Sequence, residues 1–268
     1  MKASVCIEML FPELPFEERI ARVASYGFRA VEFWSWKDKD LPRLKAVAES
    51  SGVEIANFSG QRVGDLIDRS QHETVARDFE SALAAAEALG CPNLMVLAQE
   101  LGEGGRVVRK RPREASPEQI ADIAAGVRLL LARVPAGSPL RLSIEPLNTR
   151  QDHAGYAMAF VATAAAVVDA VGDPRFGILL DFYHQGMMGD DLVGLARAYA
   201  PKIRHVHIAD VPGRHEPGTG RVDWAAVLGE LEGRGYAGFV GFEFSPAATS
   251  EAALASLADF WARLGPRR

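Results

Sequence analysis

Along its whole length the chain alternates short hydrophobic runs with longer stretches in which apolar positions recur every three to four residues. The short runs are ASVCI (3–7), AVEFW (30–34), VEIANF (53–58), NLMVLA (93–98), LRLSIE (140–145), FGILLD (176–181), IRHVHIA (203–209) and GFVGFEF (238–244). Their length, their Val, Ile, Leu and Phe content and the Gly, Pro or Asp residues that bound most of them predict strands. The longer stretches predict helices over 16–27, 40–51, 73–89, 116–134, 157–171, 190–200, 222–235 and 250–265. Some carry end signals. Gly27 suits a C-cap, and Ser116, Pro117 and Glu118 suit the N-cap, the first helical position and the first turn.

Parallel strands need long crossovers, and a helix is the usual one. Eight strands alternating with eight helices therefore imply an α/β fold, a closed (β/α)8 TIM barrel, with residues 1–268 as a single domain. The alternative, an open doubly wound sheet, normally shows a glycine-rich phosphate loop after its first strand. IEMLFPELPF (7–16) has none. One long connection stands out at 99–116, where RVVRKRPR (106–113) concentrates positive charge.

Composition narrows the function classes. A length of 268 residues suits one barrel, and a net charge of −5 lacks the basic bias of nucleic-acid binders. Cys6 and Cys91 each lie in an apolar segment and suggest neither a disulfide framework nor a thiolate zinc site. MKASVCIEMLF (1–11) lacks a signal-peptide core and cleavage site, and the apolar runs break before spanning length. The expectation is a soluble cytoplasmic protein with a small-molecule substrate and neither nucleic-acid nor membrane partners.

In such barrels the active site lies at the C-terminal ends of the strands. Strand five ends in Glu145, strand six in Asp181, strand seven carries His207 and strand eight Glu243. Singly, each is as readily a solvated loop residue or a helix cap. Together they would converge on one mouth, where burying three carboxylates without counter-charge is costly. A divalent cation supplies that charge. Three oxygens and one imidazole suit Mn2+ or Mg2+, with Co2+ or Zn2+ also compatible.

With SVCIEMLF (4–11), FRAVEF (28–33), IEPLN (144–148), DFYH (181–184), HVHIAD (205–210), EPGTG (216–220) and GFEF (241–244), the chain resembles the hydroxypyruvate isomerase family of the xylose isomerase-like barrels. The resemblance implies that Glu145, Asp181, His207 and Glu243 bind the metal and that Glu145 and Glu243 form an acid–base pair. It implies substrate contacts for His184 and Arg214, with Glu216 beside them orienting the site. Some hydroxypyruvate isomerases carry Gln where this chain has His207, whereas related ketose epimerases carry His. Asn57 and RVVRKRPR match no feature of the family.

The activity implied is isomerisation of hydroxypyruvate to tartronate semialdehyde through an enediolate, with a metal-assisted hydride shift left open. Ketose 3-epimerases, 2-oxo-tetronate isomerases and inosose or dehydroshikimate dehydratases share the metal site. Abasic-site endonucleases of the superfamily need several metals and many strand-end histidines, which Asn57 and Gln99 do not supply. A non-enzymatic sugar-binding barrel would be favoured if the four ligands failed to converge.

For the substrate carboxylate, Arg214 is the first candidate; Arg109, Lys110, Arg111 and Arg113 of a closing loop are the second. Glu8 and Glu32 can line the pocket or serve as solvated or capping groups. Trp34 and Trp36 can wall it or pack elsewhere. His205 is expected on the face opposite His207, packed or hydrogen-bonded. His72 and His215 have no evident partner, and neither has His153, which can reach the mouth. Ala-rich outer helix faces leave a homodimer or homotetramer open.

Overall fold

The computed structural model describes residues 1–265. Eight parallel strands, β1 (Lys2–Cys6), β2 (Ala30–Glu32), β3 (Glu54–Ser59), β4 (Asn93–Val96), β5 (Arg141–Ile144), β6 (Phe176–Asp181), β7 (Ile203–Ile208) and β8 (Phe239–Phe242), pair in chain order. Pairing of Lys2 with Phe239 and of Val5 with Phe242 joins β8 back to β1 and closes the barrel. The strands read as nearly continuous apolar runs because both faces are covered, one by helices and the other by the barrel interior.

The surrounding helices are α1 (Glu18–Ser25), α2 (Leu41–Ser51), α3 (His72–Leu89), α4 (Pro117–Arg133), α5 (Val161–Val171), α6 (Phe182–Met188), α7 (Leu192–Tyr199), α8 (Trp224–Gly233) and α9 (Ser250–Leu264). The N-cap expected at Ser116 is present, and Gln119 completes a reciprocal capping box with it. Gly90 and Gly172 end α3 and α5 with φ of 67° and 68°, a region where a Cβ is strained. None of the described helices is long and apolar enough to cross a membrane.

Among the described residues there are nine α-helices, one more than the sequence pattern predicts. The addition is α6, FYHQGMM, in which Phe182, Tyr183, His184, Gln185 and Met188 are all buried. A short helix wrapped on all sides has no polar face, so the amphipathic signal is absent. Asp181, the last residue of β6, caps it by accepting from the amides of Tyr183 (2.7 Å) and His184 (3.3 Å).

The barrel interior is not wholly apolar. Ser4, Glu32, Asn57, Asn93, Ser143 and His205 are all buried and form one polar layer. Asn93 donates to Asn57 Oδ1 (2.8 Å) and Ser143 Oγ (3.0 Å), and Asn57 donates to Glu32 (3.2 Å). β8 makes room for this layer with Gly241. A Cβ there would lie 2.5 Å from Glu32 Oε1 and 2.7 Å from His207 Cδ2. Gly241→Ala is therefore expected to cost about 1–3 kcal/mol by overpacking. Thermal unfolding of the purified variant checks this; an unchanged Tm would show that the layer has slack.

Candidate active site

Glu145 and Glu243 immediately follow β5 and β8, Asp181 ends β6, and His207 lies within β7. These adjacent strands bring one ligand atom from each of the four residues within 4.8 Å of the others. All four are buried, at 4%, 6%, 1% and 4% exposure for Glu145, Glu243, Asp181 and His207. His207 Nδ1 stands 3.6 Å from Glu243 Oε2 and 3.9 Å from Glu145 Oε1. His207 Nδ1 and Glu145 Oε1 both lack a hydrogen-bond partner. Buried polar atoms are rarely left so. Two orphaned donor atoms facing one point, amid three carboxylates and an imidazole, fit a divalent cation.

The electrostatics agree. Burial raises the Glu145 carboxyl well above its ordinary range, with Asp181 and Glu243 pushing the same way. Burial also raises Asp181, opposed by Arg214 and His207. Glu243 differs: burial would raise it, but Arg214 and His207 hold it well below the usual carboxylate range. The His207 imidazole is raised, because Glu32 and Glu243 outweigh its desolvation. The protein's own cations thus keep one of the three carboxylates ionised while the other two await further positive charge.

Each oxygen of Glu243 is held. Trp34 Nε1 donates to Oε1 (2.5 Å) and Arg214 Nη2 to Oε2 (2.6 Å). Arg214 also lies over the Tyr183 ring, 5.0 Å from its centroid. Its backbone has φ of 55°, a strained conformation for a residue with a Cβ. The loop 210–222 imposes it. Asp210 accepts from the amides of Val211 (2.9 Å), Gly218 (2.7 Å) and Val222 (3.3 Å), and its carbonyl takes the Arg214 amide (3.1 Å). The sequence reading missed a role for Asp210, although it closes the HIAD motif at 207–210. Glu216, expected beside His184 and Arg214 to orient the site, accepts the Ala247 amide (3.0 Å) and ties this loop to the one after β8.

Over the cluster opens a cavity of about 620 Å3, walled by Trp34, Arg62, His153, His184, Arg214 and the 101–105 segment among others, with Glu145 and Glu243 in its floor. His184 has a defined tautomer. Its Nδ1 faces the amide nitrogen of Asn148 (2.7 Å), so Nδ1 accepts and Nε2 carries the proton, 3.6 Å from Asp181. Burial, with Arg214 nearby, keeps this imidazole well below its ordinary pKa and hence neutral. Asp152 anchors the group, accepting from Asn148 (2.7 Å) and Tyr183 OH (2.9 Å).

Several expectations need correction. His205 and His207 are two residues apart on a strand and therefore share a face. Their ring centroids are 5.1 Å apart and both reach Glu32. The basic loop does not present its cations to the cavity. Arg109 is bound to Asp65 (2.7 Å) and Glu100 (2.9 Å), Arg111 lies near Asp68 (3.6 Å), and Arg113 lies over Phe160. What faces the cavity is the preceding segment, 101–105, turned by a bridge between Leu101 and Val107.

Glu8 accepts from the Trp34 amide and Lys39, and Trp36 packs against Phe58. His153 reaches the cavity wall and bonds the Gly105 carbonyl (2.7 Å), whereas His72 and His215 meet the carbonyls of Leu66 and Ser245. Cys6 and Cys91 are buried and unpaired.

A closed parallel barrel with an acidic, single-histidine cluster at the C-terminal ends of β5 to β8 defines the class of molecule. The chain belongs to the xylose isomerase-like TIM barrel family, which it matches over residues 20–264, and within it to the group of hydroxypyruvate isomerases. It is 34% identical to a putative hydroxypyruvate isomerase of Streptomyces coelicolor, over 91% of this chain and 90% of that one. It is 31% identical to the hydroxypyruvate isomerase of Escherichia coli, over 95% and 97%. Among solved structures, a Brucella melitensis protein described as a family 2 AP endonuclease superposes with a TM-score of 0.83 at 27% identity, covering 97% of this chain and 99% of that one.

Proposed function

We propose that this protein is an isomerase of small hydroxy-keto acids, with hydroxypyruvate and tartronate semialdehyde as its substrate pair. One observation carries the reading: the buried convergence of Glu145, Asp181, His207 and Glu243, with unpartnered atoms on Glu145 and His207. The names of the Streptomyces and Escherichia relatives support the substrate. In this reading the four residues hold one divalent ion, Mn2+ or Mg2+ by their donor set, with Co2+ or Zn2+ also compatible. When bound, the ion supplies Lewis-acid stabilisation of the negative charge that develops on substrate oxygens.

The rest of the chemistry belongs to the side chains. A carbonyl moves to the adjacent carbon when a C–H proton beside it is removed, a proton is returned to the old carbonyl carbon, and the neighbouring hydroxyl's proton passes to the old carbonyl oxygen. Glu243, kept ionised by Arg214, is the group suited to take that proton, and Glu145 opposite it to return one. His184, neutral and with its proton on Nε2, can donate to an oxygen in the cavity without adding charge. Trp34 and the 101–105 segment cover the floor and limit access of water.

The substrate carboxylate needs a cation. Arg214 is already committed to Glu243. Arg62 also lines the cavity and has no salt-bridge partner among the described residues. Arg62→Gln is expected to raise KM for hydroxypyruvate about 10–100-fold with little change in kcat, the scale of a lost charged hydrogen bond. Steady-state kinetics decide; an unchanged KM would return the role to Arg214.

A second reading has support in the cavity, whose 620 Å3 exceeds what a three-carbon acid fills and leaves space for a 2-oxo-tetronate or a ketose. The net charge of −5 favours these small molecules over DNA. We read the whole chain as one barrel domain acting in the cytoplasm.

The deciding experiment strips the protein with chelator and assays hydroxypyruvate with and without Mn2+ or Mg2+, coupling product to tartronate semialdehyde reductase. Metal-dependent turnover supports both site and substrate. No turnover with one equivalent of metal bound rejects the substrate and directs the assay to 2-oxo-tetronates and ketoses.

A further inference from the structure

Glu32 sits inside the barrel at 2% exposure and takes no part in the chemistry above. It is nevertheless the most heavily used acceptor near the site. The Ser4 hydroxyl, Asn57 Nδ2 (3.2 Å), His205 Nε2 (3.0 and 3.1 Å) and His207 Nε2 (2.9 Å) all point at its two oxygens. An ionised carboxylate only accepts, so each imidazole nitrogen facing it carries the proton. For His207 that fixes the other nitrogen. Nδ1, buried and unpartnered, faces Glu145 and Glu243 and is the nitrogen left bare when the ring gives up its second proton to become neutral.

We propose that Glu32 is a positioning residue: it sets the tautomer and ring orientation of His207 so that Nδ1 is presented as a ligand nitrogen, while His205 holds Glu32 in place. This rests on the reading of the four-residue cluster as a divalent-metal site. A carboxylate behind a ligating histidine generally fixes its tautomer and strengthens it as a donor. Here the carboxylate is itself gripped from β1, β3 and β7, and Gly241 of β8 leaves it room. Rotation of His207 away from the cluster would therefore break its buried bond to a Glu32 carboxylate that is held too firmly to follow it. Glu32, His205 and His207 also have the residue types of a metal site of their own. Their N–O separations of 2.9–3.1 Å are those of direct hydrogen bonds, and Ser4 and Asn57 already use the remaining oxygen capacity.

The test is Mn2+ affinity, measured by calorimetry on chelator-stripped protein, wild type against Glu32→Gln. A glutamine offers one acceptor oxygen and an NH2 group where four donors now find a carboxylate. A proton shifted from Nε2 to Nδ1 of His207 would block the ligand nitrogen. Affinity is expected to fall about 10–100-fold, with circular dichroism and thermal unfolding confirming that the variant is folded.

Equal affinity in a folded Glu32→Gln protein would overturn the proposal and leave the metal site standing. A wild type that takes up no Mn2+ would overturn both. A second measurement covers the case in which Glu32→Gln does not fold. In 15N-histidine-labelled, metal-stripped wild type, His207, assigned by its absence in His207→Asn, should keep a proton on Nε2 as pH rises, with Nδ1 the nitrogen that becomes bare when the ring turns neutral. A neutral ring with Nε2 bare and the proton on Nδ1 would overturn the proposal.

Discussion

Glu243→Gln is expected to lower kcat for hydroxypyruvate by about 10²–10⁴-fold, the range for removing a general acid–base group. The substitution keeps the size and shape of the side chain. It keeps one acceptor oxygen, for Trp34 Nε1 or for Arg214 Nη2 but not for both. The amide cannot take a proton from carbon, and it leaves the Arg214 guanidinium, half-buried and over Tyr183, without its anionic partner. KM should change less than kcat if Glu243 acts on the reacting carbon rather than on ground-state binding. Stopped turnover with Mn2+ still bound would separate loss of the base from loss of the ion. A kcat within a few-fold of wild type would reject Glu243 as the base and leave Glu145, or a hydride shift, to carry the reaction.

The parts of this molecule that were legible in the sequence are those set by repeating local patterns. Each strand was marked by a short apolar run and each long helix by its period. The four cluster residues stood out because a charged group ending an apolar parallel strand has few bland explanations once neighbouring strands do the same. The α6 helix was not legible, because FYHQGMM is buried all round and Asp181 serves both as its cap and in the cluster.

Nor were the roles that depend on long-range pairing. Glu32 and Asn57 read as ordinary strand-end residues, and only closure of the barrel sets them beside His205 and His207. Arg62 and the cations of 106–113 carry the same charge in sequence. Asp65, 44 residues away in sequence, and Glu100 decide that Arg109 is spent on structure while Arg62 faces the cavity.

Removing the ion should have the broadest consequences. Turnover is expected to fall to background on chelation and to return with Mn2+. Thermal stability should fall as well, because an ion that binds only the folded chain stabilises it by mass action: about 2.7 kcal/mol when present at 100 times its Kd. For a chain of this length that is a Tm shift of about 5–10 °C.

The shift should depend on pH, with a definite sign. Glu145 and Asp181 have folded pKa values raised above those of the unfolded chain. Their neutral forms are the ones the metal-free fold favours. That stabilisation is complete below the ordinary carboxylate range, about pH 4, and is lost as pH rises through the raised values. His207, also raised, moves the same way, whereas Glu243, lowered, gives its contribution above that range. Three of the four groups therefore make the stripped protein weaker towards neutral and alkaline pH, where the ion instead meets ready anions. The increment in Tm produced by Mn2+ should thus grow from pH 5 to pH 8. An increment that shrinks over that interval, in protein shown by elemental analysis to be metal-free before addition, would mean that the ion binds somewhere other than this cluster.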